Sequence, residues 1–126
     1  MTGWVFASVL LAKDDSAAAA CEDRVLVLPP DFAAVIDGAT DITGQRFGGQ
    51  TGGALAAEAI AAAFAQAWSA CRRGGPDPFG TAADALALAD RAIAGVYRQF
   101  GLTDAMQDPA RRFRAAFAVA SCRAGV

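Results

Sequence analysis

Two short acidic segments are the part of this sequence whose residue types could carry chemistry. Asp37 follows an apolar run and precedes Gly38, so its carboxylate would be held by ordered backbone beside a glycine-rich loop. Glu22 and Asp23 stand just before another apolar run. Carboxylate and carbonyl oxygens are the ligands that Mg²⁺ and Mn²⁺ prefer. If the chain brings the two segments together, these residues, with Gly38 acting through its carbonyl, form a candidate metal site.

A purely structural role for the same residues stays open on this pattern alone. An Asp-Gly pair is common in simple turns, and Glu22-Asp23 also has the composition of a solvated surface pair. The segment from Gly48 to Gly53 offers no nucleotide-binding pattern, because its glycines do not fall as G-x-G-x-x-G and no Gly-Lys-Ser/Thr ending follows. A tight turn into a helix is the favoured interpretation of these glycines.

Histidine is absent from the chain, which excludes His-containing catalytic triads and His-ligated zinc within these residues. The three cysteines, Cys21, Cys71 and Cys122, are widely separated and odd in number, which fits neither a disulfide framework nor a zinc site. Any chemistry within this chain must therefore depend on carboxylates.

Apolar runs rich in β-branched and aromatic residues predict four strands, at residues 5–11, 24–28, 32–36 and 113–122. Pro29-Pro30 cannot continue a ladder of hydrogen bonds, so the second strand ends there and Asp31 opens a turn. The second and third strands are expected to form an antiparallel hairpin that ends on Asp37-Gly38.

Helical spacing of apolar residues predicts two helices after the glycine-rich loop. The first begins with Thr51 as N-cap and runs to about Arg72, and the second runs from near Thr81 to Gly101. A short Gly/Pro segment joins them, so antiparallel packing is expected. The order of three strands, two helices and a strand lacks regular βαβ alternation and predicts an α+β fold.

The ordered set of these features resembles the N-terminal half of the PP2C family of metal-dependent serine/threonine protein phosphatases. The resemblance is carried by Glu22-Asp23-Arg24, by the apolar strand ending in Asp37-Gly38, and by Gly52-Gly53 opening a long helix. It spans residues 5–122. Each motif alone is unspecific, and their order is the more specific signal.

The resemblance implies a four-layer α/β/β/α sandwich, of which residues 1–126 supply a partial phosphatase domain, the C-terminal half being missing. Asp37 matches the catalytic aspartate that bridges two ions of Mn²⁺ or Mg²⁺, and Gly38 matches a carbonyl ligand. Glu22 and Asp23 match the acidic pair that binds metal directly or through water. The implied activity is hydrolysis of phosphoserine or phosphothreonine in a phosphoprotein substrate by a metal-bridged water, without a phosphoenzyme.

Three departures from the family pattern stand in the sequence. Ala39-Thr40-Asp41 replace glycines that commonly follow Asp-Gly, and alanines occupy the region where some members place a phosphate-binding arginine before the acidic pair. The family also continues through a Gly-Asp-Ser strand, a flap and two late metal-binding aspartates. We therefore expect altered substrate handling, and a fragment that is inactive alone and prone to aggregate.

Composition limits the partners that the chain could have. The formal net charge is −2 and the arginines are scattered, so nucleic acid is not an expected partner. No membrane contact is expected, since no run approaches the roughly 18 apolar residues of a span, and the expected location is the cytoplasm. The oligomeric state stays open.

Two alternative interpretations remain. One is a catalytically inactive, phosphatase-like binding or regulatory module. The other is an unrelated α+β scaffold that associates through its alanine-rich helices and is indifferent to metal.

Overall fold

The computed structural model describes residues 21–39, 43, 45–109 and 111–122. Its elements are β1 (Asp23–Leu28), β2 (Phe32–Ala39), β3 (Arg46–Phe47), β4 (Gln50–Thr51), α1 (Gly52–Arg72), α2 (Ala82–Gln99), a 3-10 helix (Thr103–Gln107) and β5 (Arg114–Ser121). This is a mixed α+β arrangement, as the sequence predicts. The strand predicted at residues 5–11 lies outside the described residues.

An antiparallel hairpin of β1 and β2 begins the described chain, which confirms the prediction. Pro29 and Pro30 end β1, and the Asp31 amide donates to the Leu28 carbonyl at 3.4 Å to close the turn. The prediction that the second strand of the hairpin ends on Asp37-Gly38 is wrong, because β2 continues to Ala39.

A distant strand explains why β2 is longer than expected. The predicted strand at residues 113–122 is confirmed as β5, and it pairs antiparallel with β2 along its whole length, from Phe32 opposite Ser121 to Ala39 opposite Arg114. The sheet order is β1-β2-β5. Asp37 therefore lies inside a central strand, between two neighbouring strands, and not in the loop that follows.

Both predicted helices are confirmed with their caps. The Thr51 hydroxyl accepts a hydrogen bond from the Ala54 amide at 3.2 Å, and the Thr81 hydroxyl accepts one from the Asp84 amide at 3.1 Å. Such caps satisfy amides that have no partner within the helix and contribute about 1 kcal/mol each.

The main core lies between α1 and one side of the sheet. Its fully buried members include Phe32 and Ile36 from β2, and Ile60, Phe64 and Trp68 from α1. The Phe64 ring meets the Phe117 ring of β5 edge-on, with centroids 5.1 Å apart. Aromatic pairs of this kind contribute about 0.5–1.5 kcal/mol beyond their burial.

Helix α1 is also, by length and composition, the one helix of the described part that could cross a membrane. Glu58 and Gln66 interrupt its apolar residues, so the criterion that α1 meets is one of average composition over its length. This is weak evidence for a span, because the buried side chains of α1 pack on the sheet, as those of a core helix do.

A smaller second core joins α2 to the segment that precedes β5. The Phe113 amide donates to the Tyr97 hydroxyl at 2.7 Å, and the two rings pack with centroids 4.8 Å apart. Phe47 contacts Phe113 and Phe100. This core fixes the position where β5 begins.

The glycine-rich segment contains a small hairpin where a loop is expected. Gly48 and Gly49 both have positive φ, at 59° and 84°, which suits a tight two-residue turn between β3 and β4. The hairpin leads directly into the Thr51 cap of α1. The segment therefore forms a tight turn that leads into a helix, as predicted, and it also contains two short strands that were not predicted.

Candidate metal site at one end of the sheet

Register places the two predicted metal-binding aspartates side by side. Asp23 of β1 is the direct partner of Asp37 of β2. Opposed residues in an antiparallel pair point to the same face, with Cβ atoms about 4.5–5.5 Å apart. The hairpin thus brings together two carboxylates that are separated in sequence.

The face that carries these aspartates is the side of the sheet turned away from α1, here called the open face. Its strand residues are Asp23, Val25, Val27, Ala33, Val35, Asp37, Ala39, Arg114, Ala116, Ala118 and Ala120. A shallow depression in it, lined in part by Asp23, Val35, Asp37 and Ala118, has a volume of about 380 Å³. Val35, in the middle strand, is 54% exposed.

Charge on the open face is confined to one end. Its three charged residues are Asp23, Asp37 and Arg114, which occupy adjacent register positions. The remaining positions are valine or alanine. Two like charges that lie directly opposite each other destabilise a strand pair unless a nearby positive charge offsets them.

Glu22 is adjacent to Asp23 in sequence but its carboxylate lies on the opposite side of the sheet. Its Oε2 atom is buried against Gly53, in the first turn of α1. A helix N-terminus carries partial positive charge, which stabilises a carboxylate placed there. The structure therefore brings Asp23 and Asp37 together and directs the Glu22 carboxylate to α1.

Gly38 is the point where the acidic segment and the helix make their closest approach. Its amide donates to the Glu22 carbonyl at 3.0 Å. A Cβ atom at Gly38 would lie 2.7 Å from the Gly53 carbonyl carbon and 2.8 Å from the Glu22 carbonyl oxygen. Glycine is needed here because three backbone segments touch. The role of its carbonyl as a metal ligand stays a prediction.

Arg24 is the arginine nearest in sequence to the acidic pair, and it is held on the helix side of the sheet. Its Nη1 atom donates to the carbonyls of Cys21 at 2.6 Å and Asp23 at 2.8 Å, and its Nη2 atom lies 3.9 Å from Glu58 of α1. These contacts tie β1 to α1 and keep this guanidinium away from the open face.

The donor set on the open face fits a hard cation. Asp23 and Asp37 supply anionic oxygens, the ligand type that Mg²⁺ and Mn²⁺ prefer, and these ions keep several waters when bound by one or two carboxylates. Within the described residues there is no group of three or more His, Cys, Asp or Glu side chains that could hold a metal. A site built from this part of the chain alone is thus limited to the two aspartates.

Comparison with known proteins found no matching family model, no matching curated protein and no matching solved structure. The functional assignment therefore rests on the motifs and on this geometry.

Sequence reasoning missed one electrostatic cluster, at the far end of the sheet from the aspartate pair. Asp31 accepts hydrogen bonds from the Trp68 indole at 2.9 Å and from Arg72, which also donates to the carbonyls of Leu28 and Pro29 at 2.7 and 2.9 Å. The Arg72 hydrogen bond is the main cause of a lowered pKa for Asp31, against an opposing effect of burial, and Trp68 adds to the lowering. This cluster fastens the β1–β2 turn to the end of α1.

Proposed function

We propose that this chain is part of a metal-dependent phosphatase that acts on phosphoserine or phosphothreonine in cytoplasmic phosphoproteins. The observation that carries the proposal is the pairing of Asp23 with Asp37 on one face of the sheet. Two of the three acidic residues that the family resemblance assigns to metal binding are thereby neighbours in space, although most of β1, a turn and most of β2 separate them in sequence.

In the proposed reaction these residues only have to bind and orient the metal ion. A divalent cation, when bound, lowers the pKa of a bound water and offsets charge on phosphoryl oxygens. Asp23 and Asp37 would hold Mn²⁺ or Mg²⁺, and Asp37, fixed between two hydrogen-bonded strands, would orient it. A rigid first ligand of this kind is what precise positioning of a phosphate ester requires.

The rest of the open face supports the architectural part of the proposal. A second sheet packed on the first, as in a four-layer sandwich, requires an inner face of small and branched apolar side chains. Val25, Val27, Val35 and the alanines of β5 provide such a face, while charge remains at its end. Additional carboxylates for a second ion would come from outside the described residues.

A phosphatase-like binding module without hydrolytic activity is the second candidate. The orientation of Glu22 favours it, because the carboxylate of Glu22 packs on α1 and leaves two acidic residues on the open face. The two candidates differ in hydrolytic activity, and a binding module need not bind a divalent cation.

Titration of the chain with Mn²⁺, followed by electron paramagnetic resonance of the free ion, tests the proposal. We expect binding that weakens by at least about tenfold in Asp37→Asn and in Asp23→Asn, because each removes one anionic ligand. Asp90→Asn is the matched control, since Asp90 is exposed on α2, and it should leave the affinity unchanged.

Hydrolysis of p-nitrophenyl phosphate with Mn²⁺ then separates an enzyme from a binding module. Absence of Mn²⁺ binding by the folded chain, or equal binding by Asp37→Asn, would refute the proposed metal site. Metal binding without any hydrolysis, when the chain is combined with the C-terminal half of a PP2C-type phosphatase domain, would support the binding module.

A further inference from the structure

Arg114 is the one positively charged residue among the described strand residues of the open face. It is the first residue of β5 and lies opposite Ala39, while the next β5 residue on the same face, Ala116, lies opposite Asp37. Arg114 and Asp37 are therefore diagonal neighbours on one face. Such neighbours are about 7–8 Å apart, within reach of a long side chain.

The Arg114 side chain is exposed and lightly engaged. Within the described part of the chain its guanidinium makes one hydrogen bond, from Nη2 to the Pro109 carbonyl at 2.7 Å. A guanidinium carries five N–H donors, so most of its donor capacity remains for a ligand. The contact to Pro109 limits the rotamers of the side chain, whose backbone position lies at the charged end of the face.

Neighbouring arginines do not share this position. Arg111 pairs with Asp104 at 3.4 Å, and Arg112 donates to the Met106 carbonyl at 2.8 Å. Arg24 points to the helix side, where it contacts Glu58. Among these, Arg114 alone lies on the face that carries Asp23 and Asp37.

We propose that Arg114 binds the phosphoryl oxygens of the substrate beside the Asp23–Asp37 pair, an inference that rests on the proposed phosphatase function. A planar guanidinium matches two phosphate oxygens in a bidentate geometry that lysine cannot reproduce. The site needs such a group, because two carboxylates balance one divalent cation and leave the charge of a phosphate monoester dianion uncompensated. Arg114 supplies positive charge on the same face.

A structural role for Arg114 gives different expectations. In that case its charge only offsets the repulsion between Asp23 and Asp37, and its removal would change stability and metal affinity without a specific effect on phosphate. As a phosphate ligand, its removal instead weakens phosphate binding while Mn²⁺ affinity is kept or becomes tighter, since a repelling cation is lost.

Isothermal titration of the whole chain with inorganic phosphate, in the presence of saturating Mg²⁺, tests the inference. We expect Arg114→Ala to weaken phosphate binding about tenfold, the loss of a charge-assisted pair, and Arg114→Lys to show a smaller loss. Mn²⁺ titration of the same variants should show no weakening. Arg111→Ala, which removes a nearby arginine paired with Asp104, should leave both affinities unchanged.

The outcomes separate this inference from the function on which it rests. Normal Mn²⁺ binding with phosphate affinity unaltered by Arg114→Ala overturns the role of Arg114 and leaves the metal site in place. Failure of the chain to bind Mn²⁺ overturns the proposed function and, with it, the inference. Parallel weakening of phosphate and Mn²⁺ binding would assign Arg114 the structural role.

Discussion

Replacing Gly53 by alanine introduces a methyl group where the first turn of α1 touches the end of β2. The new Cβ atom would meet the Glu22 carboxylate and would lie 2.7 Å from the Ala39 carbonyl oxygen and 2.8 Å from its carbon. The Glu22 side chain can rotate away, but the Ala39 backbone is fixed by its pairing with Arg114. The helix or the strand must therefore shift.

The expected cost follows from two opposing effects. Overpacking of this kind costs about 1–3 kcal/mol, whereas replacing a helical glycine by alanine normally gains about 0.5–1 kcal/mol. We expect Gly53→Ala to lower the free energy of unfolding by about 1–2 kcal/mol. Gly95→Ala in α2 is the matched control: the nearest atom to its new Cβ is the end of the Arg98 side chain at 3.9 Å, so it should stabilise by the normal gain.

Urea unfolding followed by far-ultraviolet circular dichroism measures both changes from the midpoints and slopes. The two substitutions exchange the same residue types within helices and should move the midpoint in opposite directions. A neutral or stabilising effect of Gly53→Ala would contradict the close contact between the first turn of α1 and the backbone of Ala39.

Two further expectations concern the ends and edges of the sheet. Asp31→Asn should lower the free energy of unfolding by about 1 kcal/mol at pH 7, because it removes a charged acceptor of Arg72. Since the pKa of Asp31 is lowered in the folded state, this difference should shrink progressively as the pH falls below about 4. A series of urea unfolding curves in which the difference does not decrease with falling acid pH would contradict it. Ala118→Lys should reduce self-association in sedimentation velocity, because β5 is an edge strand of the described sheet and has no charge or proline from residue 115 to 120. Ala87→Lys on α2 is the control and should not reduce self-association. Equal effects of the two substitutions would argue against association through the β5 edge.

Local signals explain the part of the fold that the sequence predicts. Pro29-Pro30 ends one strand, and the caps Thr51 and Thr81 mark the starts of both helices within a residue. Each of these signals acts over a few residues and needs no knowledge of the tertiary structure. The hairpin, both helices and β5 are therefore predictable.

Pairing between distant segments explains what was missed in the fold. The extension of β2 to Ala39 depends on its pairing with β5, and no residue near Ala39 in the sequence indicates that β5 is its partner. The strands of the β3–β4 hairpin are too short to show the alternation of apolar and polar residues that marks a strand, although Gly48-Gly49 is a recognisable turn signal.

The candidate site is predictable to a similar degree. The pairing of Asp23 with Asp37 follows once the hairpin register is known. The placement of the Glu22 and Asp23 side chains on opposite faces of the sheet could also have been predicted, because consecutive residues along an extended strand point to opposite faces. The position of Arg114 could not be predicted in this way, because it depends on the register between β2 and β5, a strand that follows two helices.

The central place of β2 also sets the order in which this sheet can form during synthesis. One neighbour of β2 is the preceding strand, but the other, β5, begins at Arg114, well after Ala39 in the chain. At the usual elongation rate of about 5–20 residues per second, roughly 4–16 seconds pass on the ribosome before that second neighbour is complete. Throughout that interval one edge of the strand that carries Asp37 lacks its partner strand, and an unpaired strand edge can pair with another extended chain.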